Sequence, residues 1–185
     1  MAAPEPAAGS GPAGRPGGVV RALGPEDRAA WGELWRAYVE FYRAAVPAEV
    51  TEWLWARLAA ARGAPEDLGQ IFGLGAFDER GRLVGLAHYH YQFCTWSRRP
   101  RCYLEDLFVD PSARSRGHGR RLIEATYTRA DTLGGGAGCD DVFWLTSESN
   151  SRARALYDKV GKVTDHIKYG RKGSAAGEAS SPPPL

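Results

Sequence analysis

The chain reads as an α/β protein: one mixed sheet with helices on both faces. Three observations predict it. Two early stretches carry apolar residues at helical spacing, two extended runs are then joined by a turn signal, and two strand-then-helix units close the sequence. The element order is β-α-α-β-β-β-α-β-α-β. With 185 residues, the chain fits one domain around one core. We expect a folded domain over 18–172 between disordered tails, because residues 1–17 and 173–185 consist largely of Ala, Gly, Pro and Ser with little to bury.

Val19 to Leu23 is a short strand. Pro25-Glu26-Asp27 starts a helix, with acids where the helix dipole favours them. Trp31, Leu34, Trp35, Tyr38, Phe41 and Tyr42 then form an apolar stripe that Pro47 interrupts. A second helix covers about Ala48 to Arg62, with Gly63 at its C-cap. Strands over Gln70–Phe77 and Arg82–Phe93 flank the hairpin turn Asp78-Glu79-Arg80-Gly81. Cys102 to Val109 is the next strand, ended by Asp110-Pro111. A helix runs from about Gly117 to Thr132, followed by a glycine-rich loop over Gly134–Gly138. Asp141–Thr146 is a strand, Asn150–Val160 a helix and Val163–Tyr169 a last strand.

Composition excludes several classes. The sequence is 43% hydrophobic and 25% charged with a net charge of +2, too little to argue for nucleic acid or a membrane surface. No apolar run approaches the roughly 20 residues that cross a bilayer. The first residues lack a basic n-region and an apolar h-region, so no secretory signal is expected and the cytoplasm is the expected compartment. The three cysteines, Cys94, Cys102 and Cys139, form no CxxC pair and fit neither a disulfide framework nor a zinc site. His88 and His90 share a strand face without a third ligand at metal spacing, so no metal is expected; they are pocket-lining or plain sheet-face residues. Arg98 to Arg101 reads as a solvated loop.

The chemistry centres on Tyr103-Leu-Glu-Asp-Leu-Phe-Val109, Asp110-Pro111 and Arg114-Ser-Arg-Gly117-His-Gly119-Arg-Arg-Leu122. Strand, tight turn, glycine-rich loop and helix follow in that order. Glycines at a helix mouth leave backbone N–H groups bare in a concave nest, and the helix dipole adds positive potential. A diphosphate suits such a nest, and Arg114, Arg116, Arg120 and Arg121 surround it with charge. Two alternatives fail on pattern. A dinucleotide fold wants GxGxxG directly after its first strand, and a nucleotide triphosphatase wants GxxxxGK[ST].

Arg114-x-x-Gly117-x-Gly119, after the strand ending Val109-Asp110-Pro111, resembles the acetyl-CoA signature of the GCN5-related N-acetyltransferases (the GNAT family). Asn150-Ser-Arg-Ala-Arg-Ala-Leu-Tyr157-Asp-Lys-Val-Gly161 resembles a second block of the same family, in the right order. The likeness spans roughly Leu83 to Tyr169. YLEDLFV is similar to the corresponding strand of the spermidine/spermine acetyltransferases. The aromatic first helix and the SNSRARALYDKVG block look closer to acetyltransferases acting on histones, polyamines or D-amino acids.

The resemblance implies a sheet that splays after Val109, with acetyl-CoA as co-substrate in the gap and no metal. It assigns coenzyme contacts to Leu107, Phe108, Val109, Arg114, Ser115, Arg116, Gly117, His118, Gly119, Arg120, Asn150 and Arg154. A backbone N–H in Leu107–Val109 would stabilise the oxyanion, worth about 3 kcal/mol. Tyr157 would protonate the leaving thiolate. Glu105 would take the proton an alkylammonium must lose, its pKa being about 10. Strand alternation sends Glu105 and Asp106 to opposite faces, so only one lines the site; Glu105 is the choice. Tyr38, Phe41 and Tyr42 would cover the acceptor, where aromatic faces suit a cationic amine. The implied protein is a homodimer. Three activities stay open: acetylation of a small primary amine such as a polyamine or amino acid, acetylation of a protein amino group, and coenzyme binding without catalysis. The glycine-rich 134–138 insert departs from the family's short turn.

Overall fold

A computed structural model describes residues 18–63 and 66–171; the tails expected at 1–17 and 173–185 lie outside the described residues. The elements are β1 (Val19–Ala22), α1 (Arg28–Phe41, after a 3-10 turn at Pro25–Asp27), α2 (Ala48–Ala61), β2 (Ile71–Phe77), β3 (Leu83–Gln92), β4 (Arg101–Val109), α3 (His118–Gly136), β5 (Val142–Phe143) and α4 (Ser151–Tyr157). The regular part of α3 ends at Thr132, because Leu133, Gly134 and Gly135 leave helical dihedral angles. The sheet order is β1-β2-β3-β4-β5, antiparallel up to β4 and parallel between β4 and β5.

Local chemistry explains the starts of these elements. Asp27 caps the turn before α1 by accepting the Gly24 N–H at 2.7 Å, and takes both arms of Arg21 at 2.7 and 2.9 Å. Asp78 closes the β2–β3 hairpin by accepting the Arg80 and Arg82 N–H groups, and Gly81 supplies the left-handed residue at φ 75°.

Each face of the sheet has its own core. On one side α1 and α2 bury Trp31, Leu34, Trp35, Leu54 and Leu58 against Leu86 and Phe108. Trp31 is fully buried and stacks on Trp35 at 5.9 Å. On the other side Leu122 and Ile123 of α3, both fully buried, pack on Leu74, Ala87, Leu104 and their neighbours. Burying each such side chain contributes about 1.5–3 kcal/mol.

Three sequence expectations need correction. First, Val163–Tyr169 is not a strand: it carries no regular structure, and Val163, Ile167 and Tyr169 are largely exposed. A strand needs a ladder, and the neighbouring β5 spans two residues only. Second, the strand expected over Asp141–Thr146 is cut to Val142–Phe143, paired with Cys102 and Tyr103. Beyond Tyr103 the β4–β5 ladder ends and the two strands part.

Third, Glu105 and Asp106 do not point to opposite faces. His88 is opposite Asp106 while Tyr89 is opposite Leu104, so Glu105 is an extra residue in β4. Such a bulge interrupts alternation and lets two successive side chains share a side. Asp106 accordingly bonds His88 and Glu105 bonds His90, two residues of one face of β3. Cys102 and Leu104 face α3 before the bulge, Leu107 and Val109 after it.

Candidate active site

The gap beyond Tyr103 opens into a cavity of about 700 Å³. Its floor is Leu107, Phe108 and Val109 of β4; one wall is Tyr38, Phe41 and Tyr42 at the end of α1, and the opposite wall is α4 with Asn150, Leu156 and Tyr157. Arg114, Ser115, Gly117, His118, Gly119 and Arg120 close its far end.

That end is shaped for an anion. Ser115 and Gly117 both take left-handed dihedrals, φ 65° and 82°, so the loop curls and α3 begins from Gly117 as its N-cap. The first intrahelical bond runs from the Arg121 N–H to the Gly117 carbonyl at 3.0 Å. The N–H groups of the preceding turn therefore have no helical acceptor and point outward. Gly119 has a different reason: a Cβ there would come within 3.1 Å of Leu156 Cδ2, so its absence lets α4 dock on α3. Arg114 donates to the Val109 carbonyl at 2.9 Å and lies over the rings of Phe41 and Phe108, which ties the loop to the aromatic wall. Burial and the charge of Arg152 depress its pKa. Burial and Arg121 likewise lower the pKa of His118, whose Nδ1 accepts from the Arg121 guanidinium at 2.9 Å.

Tyr157 stands edge-on to Trp144 at 5.3 Å, with its pKa pushed up to about 12 by burial. Asn150 caps α4 by accepting the Ala153 N–H at 3.3 Å. Tyr38, with a pKa raised well above the usual phenol range by burial and by the charge of Asp106, hydrogen-bonds the Asp106 carboxylate. Asp106 also bonds His88 Nδ1 at 2.9 Å, and His88 Nε2 accepts the Trp31 indole N–H at 3.0 Å.

The structure thus gathers Tyr38, Phe41, Tyr42, Leu107, Phe108, Val109, Arg114, Ser115, Gly117, His118, Gly119, Arg120, Asn150 and Tyr157 around one cavity. Three expected site residues lie elsewhere. Glu105, its side chain 41% exposed, sits beside His90 at 3.3 Å rather than on the cavity wall. Arg116 faces a second depression of about 560 Å³ with Arg80, Arg82 and Arg121. Arg154 turns back to donate to the Glu148 carbonyl at 3.0 Å. Arg152 and Lys159 line the main cavity in its place; the cationic character of this helix was visible in the sequence, but not which cations turn inward.

Residues 29–161 match the Acetyltransferase (GNAT) family. The chain is similar to the D-amino-acid N-acetyltransferase HPA3 of Saccharomyces cerevisiae, 39% identical over 156 residues, covering 84% of this chain and 91% of that protein. It is also similar to a thialysine N-epsilon-acetyltransferase of Bos taurus, 30% identical over 79 residues, 43% of this chain and 44% of that protein. Among solved structures, AAC(6')-Iy in complex with a bisubstrate analogue, CoA-S-monomethyl-acetylneamine, shares the fold. Its TM-score is 0.66 at 20% identity, over 84% of this chain and 97% of that one. The chain belongs to the acetyltransferase (GNAT) family and is an N-acetyltransferase.

Proposed function

We propose that this N-acetyltransferase takes its acetyl group from acetyl-CoA and delivers it directly to the primary amine of a small molecule, such as an amino acid or a polyamine. The observation that carries the reading is the continuity of one cavity from the bare N–H groups at the mouth of α3 to the aromatic wall of α1. A diphosphate fits the first end and an amine the second, with β4 between them. The curled loop at Ser115 and Gly117, and the Arg114 and Arg120 side chains around it, fit the anionic part of the coenzyme. Acetyl-CoA bound there would supply a thioester, an acyl group open to attack by a neutral amine.

In this reading the chain's own residues do the following. The backbone of Leu107 to Val109, left without a β5 partner, lines up the extended pantetheine arm as an added strand would. One of its N–H groups faces the oxygen that gains charge. Tyr157 keeps its proton at neutral pH, as its raised pKa requires, and donates it towards the sulfur. Glu105, off the cavity wall beside His90, takes the ammonium's proton through a water, and Asp106, hydrogen-bonded to Tyr38, adds negative charge behind that wall. The relatives' names, a D-amino-acid and a thialysine acetyltransferase, support a small amine as acceptor. A cytoplasmic homodimer belongs to the same reading. Its support is three free cysteines and the exposed Val163, Ile167 and Tyr169.

Thiol release from acetyl-CoA, measured against D- and L-amino acids, polyamines, aminoethyl thioethers and a histone-tail peptide, tests the proposal. We expect turnover with at least one small amine. Turnover with the peptide alone would replace the small-amine reading, and no thiol release with any acceptor would overturn it.

A further inference from the structure

We infer that His88 is a positioning residue for the acceptor amine: with its ring proton fixed on Nδ1 by Trp31, it holds the Asp106 carboxylate directly behind Tyr38 of the α1 aromatic wall, where its charge draws an ammonium to that end of the cavity. This rests on the reading of the cavity as an acetyl-transfer site.

The tautomer follows from the donors. An indole N–H can only donate. Trp31 Nε1 reaches His88 Nε2 at 3.0 Å, so Nε2 is the acceptor and the ring proton sits on Nδ1. That proton is donated to Asp106 Oδ2 at 2.9 Å. A second donor, the Tyr38 hydroxyl, also points at this carboxylate. The chain of bonds therefore runs Trp31 to His88 to Asp106, with Tyr38 arriving from the cavity side.

The His88 ring is 1% exposed and packed against Trp31 and Trp35, with ring centres 6.0 and 5.5 Å away. A spacer in such a place would be apolar, because a buried polar ring is costly unless its nitrogens are used. Both are used, and in one direction. Moving the proton to Nε2 would strand the Trp31 N–H and turn a lone pair towards Asp106, so the arrangement has one stable form. The groups facing this assembly are Trp31, Trp35, Tyr38 and Tyr42 from α1, Glu105 and Asp106 from β4, and His90 further along β3.

The bulge gives the device its purpose. It sets two carboxylates on the acceptor face with different surroundings: Asp106 is 14% exposed and held by two donors, whereas Glu105 is 41% exposed beside His90. The inner carboxylate has its position fixed before any amine arrives. A fixed carboxylate behind Tyr38 attracts an ammonium to the aromatic wall and orients its nitrogen, through the Tyr38 hydroxyl that bonds it. Glu105, solvated and further out, lacks that constraint.

Three variants and one spectrum test this. His88→Phe fills the space and removes both nitrogens. His88→Asn restores a short amide donor near the Nδ1 position. Trp31→Phe keeps a ring and removes the N–H. With acetyl-CoA saturating, we expect His88→Phe to lower kcat/KM for the amine by about 10²-fold, the scale of a misplaced reacting group. Its acetyl-CoA affinity, read by calorimetry, should be unchanged, and His88→Asn should recover most of the loss. A merely structural His88 would lower the melting temperature in both variants without that rescue. Nitrogen-15 spectra of the wild-type ring should show a protonated Nδ1 and an unprotonated Nε2, a pattern that Trp31→Phe relaxes. A folded His88→Phe enzyme with wild-type kcat/KM, an Asn variant no better than Phe, or a wild-type ring protonated on Nε2 would each overturn the inference while leaving acetyl transfer intact. Absence of thiol release by the wild-type protein with every amine would instead remove the functional reading, and this role with it.

Discussion

Replacing Tyr157 by Phe separates chemistry from folding. The Tyr157 ring packs edge-on against Trp144, a contact Phe retains, and the residue lines the cavity. The Phe ring keeps that packing, so stability should change little, by about 0.5 kcal/mol. The chemical cost is larger. Burial holds the Tyr157 pKa near 12, against about 8.5 for an ordinary thiol. Full transfer of the proton to a thiolate would be uphill by about 3.5 pKa steps, roughly 5 kcal/mol. Donation that accompanies C–S cleavage avoids that uphill step. Losing such a donor lowers turnover by about 10²-fold, or about 2.7 kcal/mol. Thiol release at saturating acetyl-CoA and amine reads kcat, and calorimetry should show unaltered acetyl-CoA affinity. A raised pKa keeps the proton on to higher pH, so the wild-type rate should climb as the amine deprotonates near pH 10, without a fall due to Tyr157 below about 12. A Phe variant that turns over at the wild-type rate would show that another group or water protonates the sulfur.

Two further outcomes follow from the backbone and from a buried charge. Gly117→Ala should destabilise the fold by about 1–2 kcal/mol, because φ 82° is costly once a Cβ is present, while the nearest atom to that Cβ, Arg121 Nη1, is 3.4 Å away. A melting temperature lower by roughly 2–8 °C, together with weaker acetyl-CoA binding, is the expected result; unchanged affinity would detach the curled loop from anion binding. Asp27→Asn should cost roughly 1–2 kcal/mol at neutral pH, allowing for the solvent exposure of Arg21. Burial opposes the Asp27 charge, but the bonds from Arg21 and Gly24 outweigh it and hold its pKa below 3.8. The stabilisation is thus present above 3.8 and is lost as pH falls through the lower folded value, so melts of the two proteins should converge in acid. A difference that persists at acidic pH would assign the effect to packing.

Much of this was legible in the sequence, for reasons particular to the residues. Helical spacing found α1 and α2, and the Asp78–Gly81 turn fixed β2 and β3, because these signals are local. The glycine pair at the mouth of α3 and the Asn150 cap placed fourteen of the expected site residues around one cavity. What failed was long-range. Nothing within Val163–Tyr169 says whether a neighbouring strand exists to receive it, and β5 is too short to do so. Arg154 and Arg152 are equally cationic, and only the Glu148 carbonyl decides that Arg154 turns away. The bulge left a faint trace, since the α3-facing apolar positions shift from Cys102 and Leu104 to Leu107 and Val109, but Tyr103 and Phe108 mask the change of phase.

That one extra residue also governs how β4 tolerates change. Up to Glu105 the odd-numbered side chains look towards α1, and from Asp106 onwards the even-numbered ones do. Deleting Glu105 would restore simple alternation with every other face kept, Cys102, Leu104, Leu107 and Val109 towards α3 and Tyr103, Asp106 and Phe108 towards α1, and would remove the bulge together with the carboxylate beside His90. The strand therefore holds one residue more than its pairing with β3 uses: it can shorten by one at the bulge without reversing a face, and what that shortening removes is the second carboxylate on the α1 side.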